Sequence, residues 1–248
     1  RCVGCGECVS VGPRDLPVPL RSPSLEDAEH CLLCGACADA CPTEARQMAG
    51  HSMSVEEVVE VVLKDRIFYD ESGGGVTFSG GEPLRQAGFL RSALEACKHE
   101  RIHTAVDTCG LVGQEDLLSV ADFTDLFLFD VKMMDDDKHR RYTGVSNRQI
   151  LLNLEALGRR ERRIWMRVPV IPGVNDNSEN LEATARLAAS IPSVERVCLL
   201  PYHPLGESKS RRLARDASLP DLEAPTPGQM RALVELVEAE GIAASIGG

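Results

Sequence analysis

The sequence predicts an α/β protein in two parts: a cysteine-rich front, residues 1–50, and a parallel sheet with helices outside it, residues 51–248. Three observations carry this. Seven of the ten cysteines lie within the first 41 residues. From about residue 52, stretches with helical apolar spacing alternate with short, continuously apolar runs. At least five such strand-and-helix units follow one another without a break, the pattern of a parallel sheet. An open doubly wound sheet and a partial β/α barrel both fit, and both put chemistry at the carboxyl ends of the strands.

The front comes first in the chain. "CLLCGACADACP" places Cys31, Cys34, Cys37 and Cys41 in a C-x2-C-x2-C-x3-C-P run. Thiolates at that spacing wrap a cubane iron–sulfur cluster, and in two-cluster ferredoxins the fourth cysteine serves the other cluster. A partner run exists in Cys2, Cys5 and Cys8. Two such runs exclude a zinc knuckle or a disulfide framework as the better reading. The first run lacks its fourth cysteine, because Gly12 stands there, with Pro13 after it. By the crossing rule Cys2, Cys5, Cys8 and Cys41 complete one four-iron site. Cys31, Cys34 and Cys37 are left one ligand short, and a three-iron cluster, a four-iron cluster with a foreign ligand and a degenerate site all fit.

The second part opens with "SVEEVVEVVLKD", a helix with Ser54 and Glu57 as its capping box. "GGVTFSGG" is a strand ending in glycines, followed by a helix over about 84–98 with Ala87, Leu90, Leu94 and Cys97 on one face. The strands "HTAVDTCG", "LFLFDVK", "IWMRVPV" and "VCLLPYH" follow, separated by helices near 114–121, 146–157 and 178–190. Thr226, Pro227 and Gly241 bound the last helix, and "AASIGG" closes the chain as a short strand. Cys97 and Cys198 sit in apolar runs and read as core. "DDD" at 135–137 reads as a solvated loop or helix cap, and "RRERR" at 159–163 as a solvated turn.

Five strands in turn end in "SGGEP", "DTCG", "DVK", "RVP" and "PYH". Each ending alone has a structural explanation. Together they gather polar groups at one sheet edge, which points to one site.

A net charge of −11 argues against non-specific nucleic-acid or anionic-membrane binding. No apolar run reaches the ~18 residues of a membrane span, and the chain is expected to be cytoplasmic.

The blocks "SGGGVTFSGGEPL", "IHTAVDTCG", "DVK", "YTGVSN", "RVPVIPGVND", "LLPYHPLG" and "IGG", after the Cys31–Pro42 run, resemble in this order a glycyl-radical-enzyme activating enzyme. These are radical S-adenosylmethionine (SAM) proteins similar to the pyruvate formate-lyase activating enzyme. This sequence is most like the subgroup with a ferredoxin-type insert. The resemblance implies a partial (β/α)6 barrel. It also implies reductive cleavage of SAM by a four-iron cluster, and removal of a glycine α-hydrogen from a partner glycyl-radical enzyme.

It implies an electron donor such as flavodoxin or ferredoxin. It assigns SAM to Gly80, Gly81, Glu82, Asp130, Val131, Lys132, Arg167 and His203, with Gly81 in direct contact. In some relatives residues matching Asp107 and Thr108 help hold a monovalent cation. The family's C-x3-C-x2-C triplet for the SAM-cleaving cluster is absent, and in relatives it lies upstream of the insert. The chain is therefore expected to be an N-terminally truncated fragment without its first barrel strand, inactive as given. Two other readings compete. One is a radical SAM enzyme with auxiliary clusters acting on a small molecule or peptide. The other is an electron-transfer protein.

Overall fold

The computed structural model describes residues 2–11, 34–48, 50–203 and 222–247. The chain forms two compact units, one from Arg1–Met53 and His203–Leu222, the other from Ser54–Tyr202 and Glu223–Gly248. Gly12 and Cys31 lie outside the described residues.

In the first unit the two cysteine runs fold alike. Gly6 (φ 81°) caps helix α1, Glu7–Ser10, and Gly35 (φ 80°) caps helix α2, Ala36–Asp39. Each glycine sits in the left-handed region that a side chain disfavours. Each passes its carbonyl to the helix it starts, Gly6 to the Val9 amide at 2.9 Å and Gly35 to the Ala38 amide at 2.8 Å. Cys8 and Cys37 occupy the same place in their helices, so the sequence repeat is also a repeat of backbone shape.

The second unit begins with α3, Val55–Leu63, whose Ser54–Glu57 capping box forms as the sequence predicts. Helix α4, Arg66–Ser72, ends at Gly73. Six strands follow: β1 Gly75–Phe78, β2 His103–Thr108, β3 Leu126–Asp130, β4 Ile164–Val170, β5 Val194–Pro201 and β6 Ala244–Ile246. They pair in sequential order, each parallel to the next. A doubly wound sheet would reverse its order at a switch point. The sequential order is that of a partial β/α barrel.

Between the strands lie α5 Ala87–His99, α6 Gln114–Ala121, α7 Asp136–Thr143, α8 Arg148–Arg159 and α9 Ser178–Ser190, and α10, Pro227–Glu238, precedes β6. The expected helix over 84–98 is two pieces: a 3-10 turn at Pro83–Gln86, then α5. The proline starts a turn after Glu82 and the regular helix begins beyond it.

Burial decides which face of the sheet does what. Val106, Phe127, Phe129, Met166, Val168, Val197 and Leu199 point to one face and are buried with Leu94, Leu117, Leu154, Leu157 and Leu181 from the helices. The opposite face carries Asp107, Leu128, Asp130, Trp165, Arg167 and Pro169, all partly exposed. Strand β4 alternates in burial at every residue, while Ala105, Leu126 and Cys198 are buried on the opposite face of β2, β3 and β5. A parallel strand buried on both faces would not alternate as β4 does. Cys97 and Cys198 are buried, as their apolar runs predict. Among the described residues no helix is long and apolar enough to cross a membrane.

Candidate functional site: the carboxyl edge of the sheet

Parallel strands deliver their last residues to one edge. Asp107 and Thr108 end β2, and Asp130 ends β3. Arg167 lies opposite Asp130 in the β3–β4 register. Its guanidinium donates to Asp130 Oδ1 from Nε at 3.1 Å and from a terminal nitrogen at 2.9 Å, and it also pairs with Asp107. Ser79, just past β1, donates to Asp107 Oδ2 at 2.9 Å. Lys132 Nζ stands 3.5 Å from Asp130 Oδ2. One chain of charges thus crosses from β1 to β4 on the half-exposed face. The arginine bridges two carboxylates and leaves Lys132 with a single long contact among the described residues.

The D-V-K run splits by period-two alternation. Asp130 and Lys132 turn to the open face, while Val131 is buried and its amide donates to the Arg167 carbonyl at 2.9 Å. Val131 fixes the spacing of its neighbours from inside the core.

Glu82 does something the sequence does not announce. Its Oε1 accepts from the Thr108 hydroxyl at 2.8 Å and the Leu84 amide at 3.2 Å. Its Oε2 accepts from the Cys109 amide at 2.9 Å and the Cys109 thiol at 3.0 Å. The carboxylate straps the end of β1 to the end of β2. Burial and the Glu82 carboxylate push the Cys109 thiol pKa up, which keeps it a donor. Gly80, at φ 140°, needs to be glycine, and the space where a Cβ would stand on Gly80 or Gly81 is open.

Asp107 and Thr108, the expected cation ligands, both meet protein groups. The Asp107 carboxylate is engaged by Arg167 and Ser79, and the Thr108 hydroxyl joins Glu82 and accepts from the Gly110 amide at 2.9 Å. His203 is exposed and falls in the cysteine-bearing unit.

Three buried asparagines support this edge; Asn147 and Asn175 belong to the blocks "YTGVSN" and "RVPVIPGVND", and Asn153 to none. Asn147 donates to the carbonyls of Met133 and Met134, Asn153 to those of Gly110 and Val112, and Asn175 to those of Lys132 and Pro169. Beside them a hollow of about 250 Å³ opens between the segment after β3 and the start of α9.

Cys41 is the cysteine whose acidity moves most clearly toward thiolate. Hydrogen bonds from the Arg46 and Thr43 amides lower its pKa to about 7. Among the described residues no three His, Cys, Asp or Glu side chains gather to metal-ligating distance. The iron–sulfur reading rests on the cysteine spacing and the repeated glycine turn.

Residues 29–188 match the Radical SAM superfamily, and residues 1–15 match a 4Fe-4S binding domain. The trans-4-hydroxy-L-proline dehydratase activating enzyme of Clostridioides difficile is 38% identical, over 90% of this chain and 84% of its own. The pyruvate formate-lyase-activating enzyme of Clostridium pasteurianum is 38% identical over 78% of this chain and 80% of its own. The crystal structure of a domain of pyruvate-formate lyase-activating enzyme from Bacteroides vulgatus superposes with a TM-score of 0.60 at 33% identity. It covers 71% of this chain and all of that domain.

Proposed function

Because the chain belongs to the radical SAM superfamily, and within it to the activating enzymes of glycyl-radical enzymes, we propose that SAM is held at the carboxyl edge of its sheet. The activity is that of a radical SAM oxidoreductase that installs a glycyl radical on a partner enzyme. When bound, SAM and a reduced four-iron cluster supply the 5′-deoxyadenosyl radical that takes the partner's glycine hydrogen.

The charge chain from Ser79 to Lys132 carries the reading. SAM bears a sulfonium, an ammonium and a carboxylate, one net positive charge. The edge offers the carboxylates of Glu82, Asp107 and Asp130 against the cations of Arg167 and Lys132. Arg167 holds both aspartates in place. Lys132, the loosest member, is left to meet the ligand's carboxylate or ribose. Gly80 and Gly81 present backbone to the ammonium with no side chain in the way. Glu82 keeps that backbone registered against β2 and acts through position rather than direct contact.

In the front unit Cys2, Cys5, Cys8 and Cys41 hold one four-iron cluster, and Cys31, Cys34 and Cys37 the second site. Both take electrons from a flavodoxin- or ferredoxin-type donor in the cytoplasm.

Calorimetric titration of SAM into the anaerobically reconstituted protein tests the site. Losing one charge-assisted hydrogen bond costs ~1.5–3 kcal/mol, so Lys132→Ala and Asp130→Asn should each bind SAM about tenfold to a hundredfold more weakly. Lys98→Ala, at the amino end of the sheet, should bind as the parent does. Parent-like binding by Lys132→Ala and Asp130→Asn would place the site elsewhere.

A further inference from the structure

The segment Lys132–Met134 leaves β3 and has no ladder partner, yet each of its carbonyls is taken. Asn175, 1% exposed, donates from Nδ2 to the Lys132 carbonyl at 2.8 Å and to the Pro169 carbonyl at 2.7 Å. Its Oδ1 accepts from the Ile171 amide at 2.7 Å. Asn147, 3% exposed, donates to the Met133 carbonyl at 2.9 Å and the Met134 carbonyl at 2.8 Å. Asn180 closes the set. Its Oδ1 accepts from the Met134 amide at 2.9 Å, and its Nδ2 donates to the Asn175 carbonyl at 3.1 Å.

We propose that Asn175, Asn147 and Asn180 are positioning residues for Lys132, fixing the backbone from which its ammonium reaches SAM. The inference rests on the reading of Lys132 as a SAM contact. The physical argument is one of pre-organisation. Lys132 is held at its tip by one 3.5 Å contact, so the side chain alone does not define where the ammonium sits. A long flexible stem loses rotamer freedom when it binds, and a fixed backbone limits that loss to the stem. Asparagine suits the task because one amide offers two donors and an acceptor in a plane. Asn175 uses all three to tie the end of β3 to the end of β4, the two strands that carry Asp130 and Arg167. None of the three asparagines touches the Asp107–Arg167–Asp130–Lys132 side chains through a hydrogen bond of its own, so their effect on SAM passes through the backbone.

The test is a double-mutant cycle on SAM affinity, read by calorimetry on reconstituted protein. Asn175→Leu keeps the branched shape and heavy-atom count, at a somewhat larger volume, and removes the hydrogen bonds. It should raise the Kd for SAM about tenfold, the cost of a lost charge-assisted contact. In the Lys132→Ala background it should add little, because the ammonium it positions is gone. Amide hydrogen exchange in the SAM-free variant should rise at Lys132–Asp135 and stay parental in α5. An Asn175→Leu effect of the same size with and without Lys132 would overturn the proposal, as would a parental Kd. If Asn175→Leu does not fold, Asn180→Ala, at a half-buried position, is put through the same cycle with the same two outcomes. A parental Kd for Lys132→Ala alone would instead overturn the assignment of Lys132, and that arm is read first.

Discussion

At Gly110 the absence of a side chain decides whether the edge can form. The residue has φ 67°, and an added Cβ would collide with the tip of the Phe129 ring. Phe129 is fully buried and cannot retreat. Gly110→Ala combines overpacking with a strained backbone, and should destabilise the protein by about 3 kcal/mol, lowering Tm by roughly 5–10 °C. Thermal unfolding followed by circular dichroism reads this directly, and an unchanged Tm would mean the ring has room to move. The sequence made Gly110 visible only as part of "DTCG". The charged members of the site were legible because charges that end successive apolar strands stand out. Of the asparagines, Asn147 and Asn175 lie in quoted blocks, but Asn153 lies in none. Asn153 reaches back 43 residues to Gly110, and an isolated Asn in a helix reads as a neutral helix position. His139, one polar letter among the charged residues of 135–141, gives no sign of burial, yet it is buried, with Nδ1 2.7 Å from the Val145 carbonyl.

Among the elements, α7 shows how a helix can form with no apolar stripe to declare it. "DDKHRRYT" has no helical hydrophobic period, which is why 135–137 read as a loop or a cap. Asp135 is indeed the cap, accepting from the Lys138 amide at 2.8 Å. Asp136 then accepts from the Ser146 hydroxyl at 2.6 Å, the Asn147 amide at 3.0 Å and Arg140 Nε at 3.1 Å. These contacts, Ser146 first, hold its carboxyl pKa at about 2. A folded pKa below the unfolded value stabilises above the unfolded pKa, and that stability is lost as pH falls toward the folded one. Asp136→Asn should therefore lower the urea midpoint near neutral pH, with the gap to the parent closing between about pH 4 and 2. A gap that persists at the lowest pH would show that shape, and not charge, anchors α7. Helix α4 was missed for a related reason: seven residues ending at Gly73 are too short for a period to register.

Across the whole molecule the strand order and the alternation of faces do more than any single motif. Sequence patterning identified all six strands but left open whether the sheet was doubly wound. Order is a long-range property, and apolar runs do not encode their neighbours. The half-exposed face was hidden for the same reason, since partly buried Leu128, Trp165 and Pro169 look like core letters in the sequence. In the front unit the two cysteine runs fold alike, but Gly12 leaves the site of Cys31, Cys34 and Cys37 one thiolate short, which predicts two sites of unequal strength. Gly12→Cys should raise iron content after anaerobic reconstitution and remove any three-iron resonance signal, and unchanged iron with two intact clusters in the parent would show another ligand already in place. The central claim is that SAM meets the carboxyl edge of the sheet, and hydrogen–deuterium exchange of the reconstituted protein with and without SAM tests it most directly. The account predicts protection concentrated at residues 79–82, 107–110 and 130–134. Protection at the amino end, around 98–103 and 122–125, with no change at those three segments would contradict it.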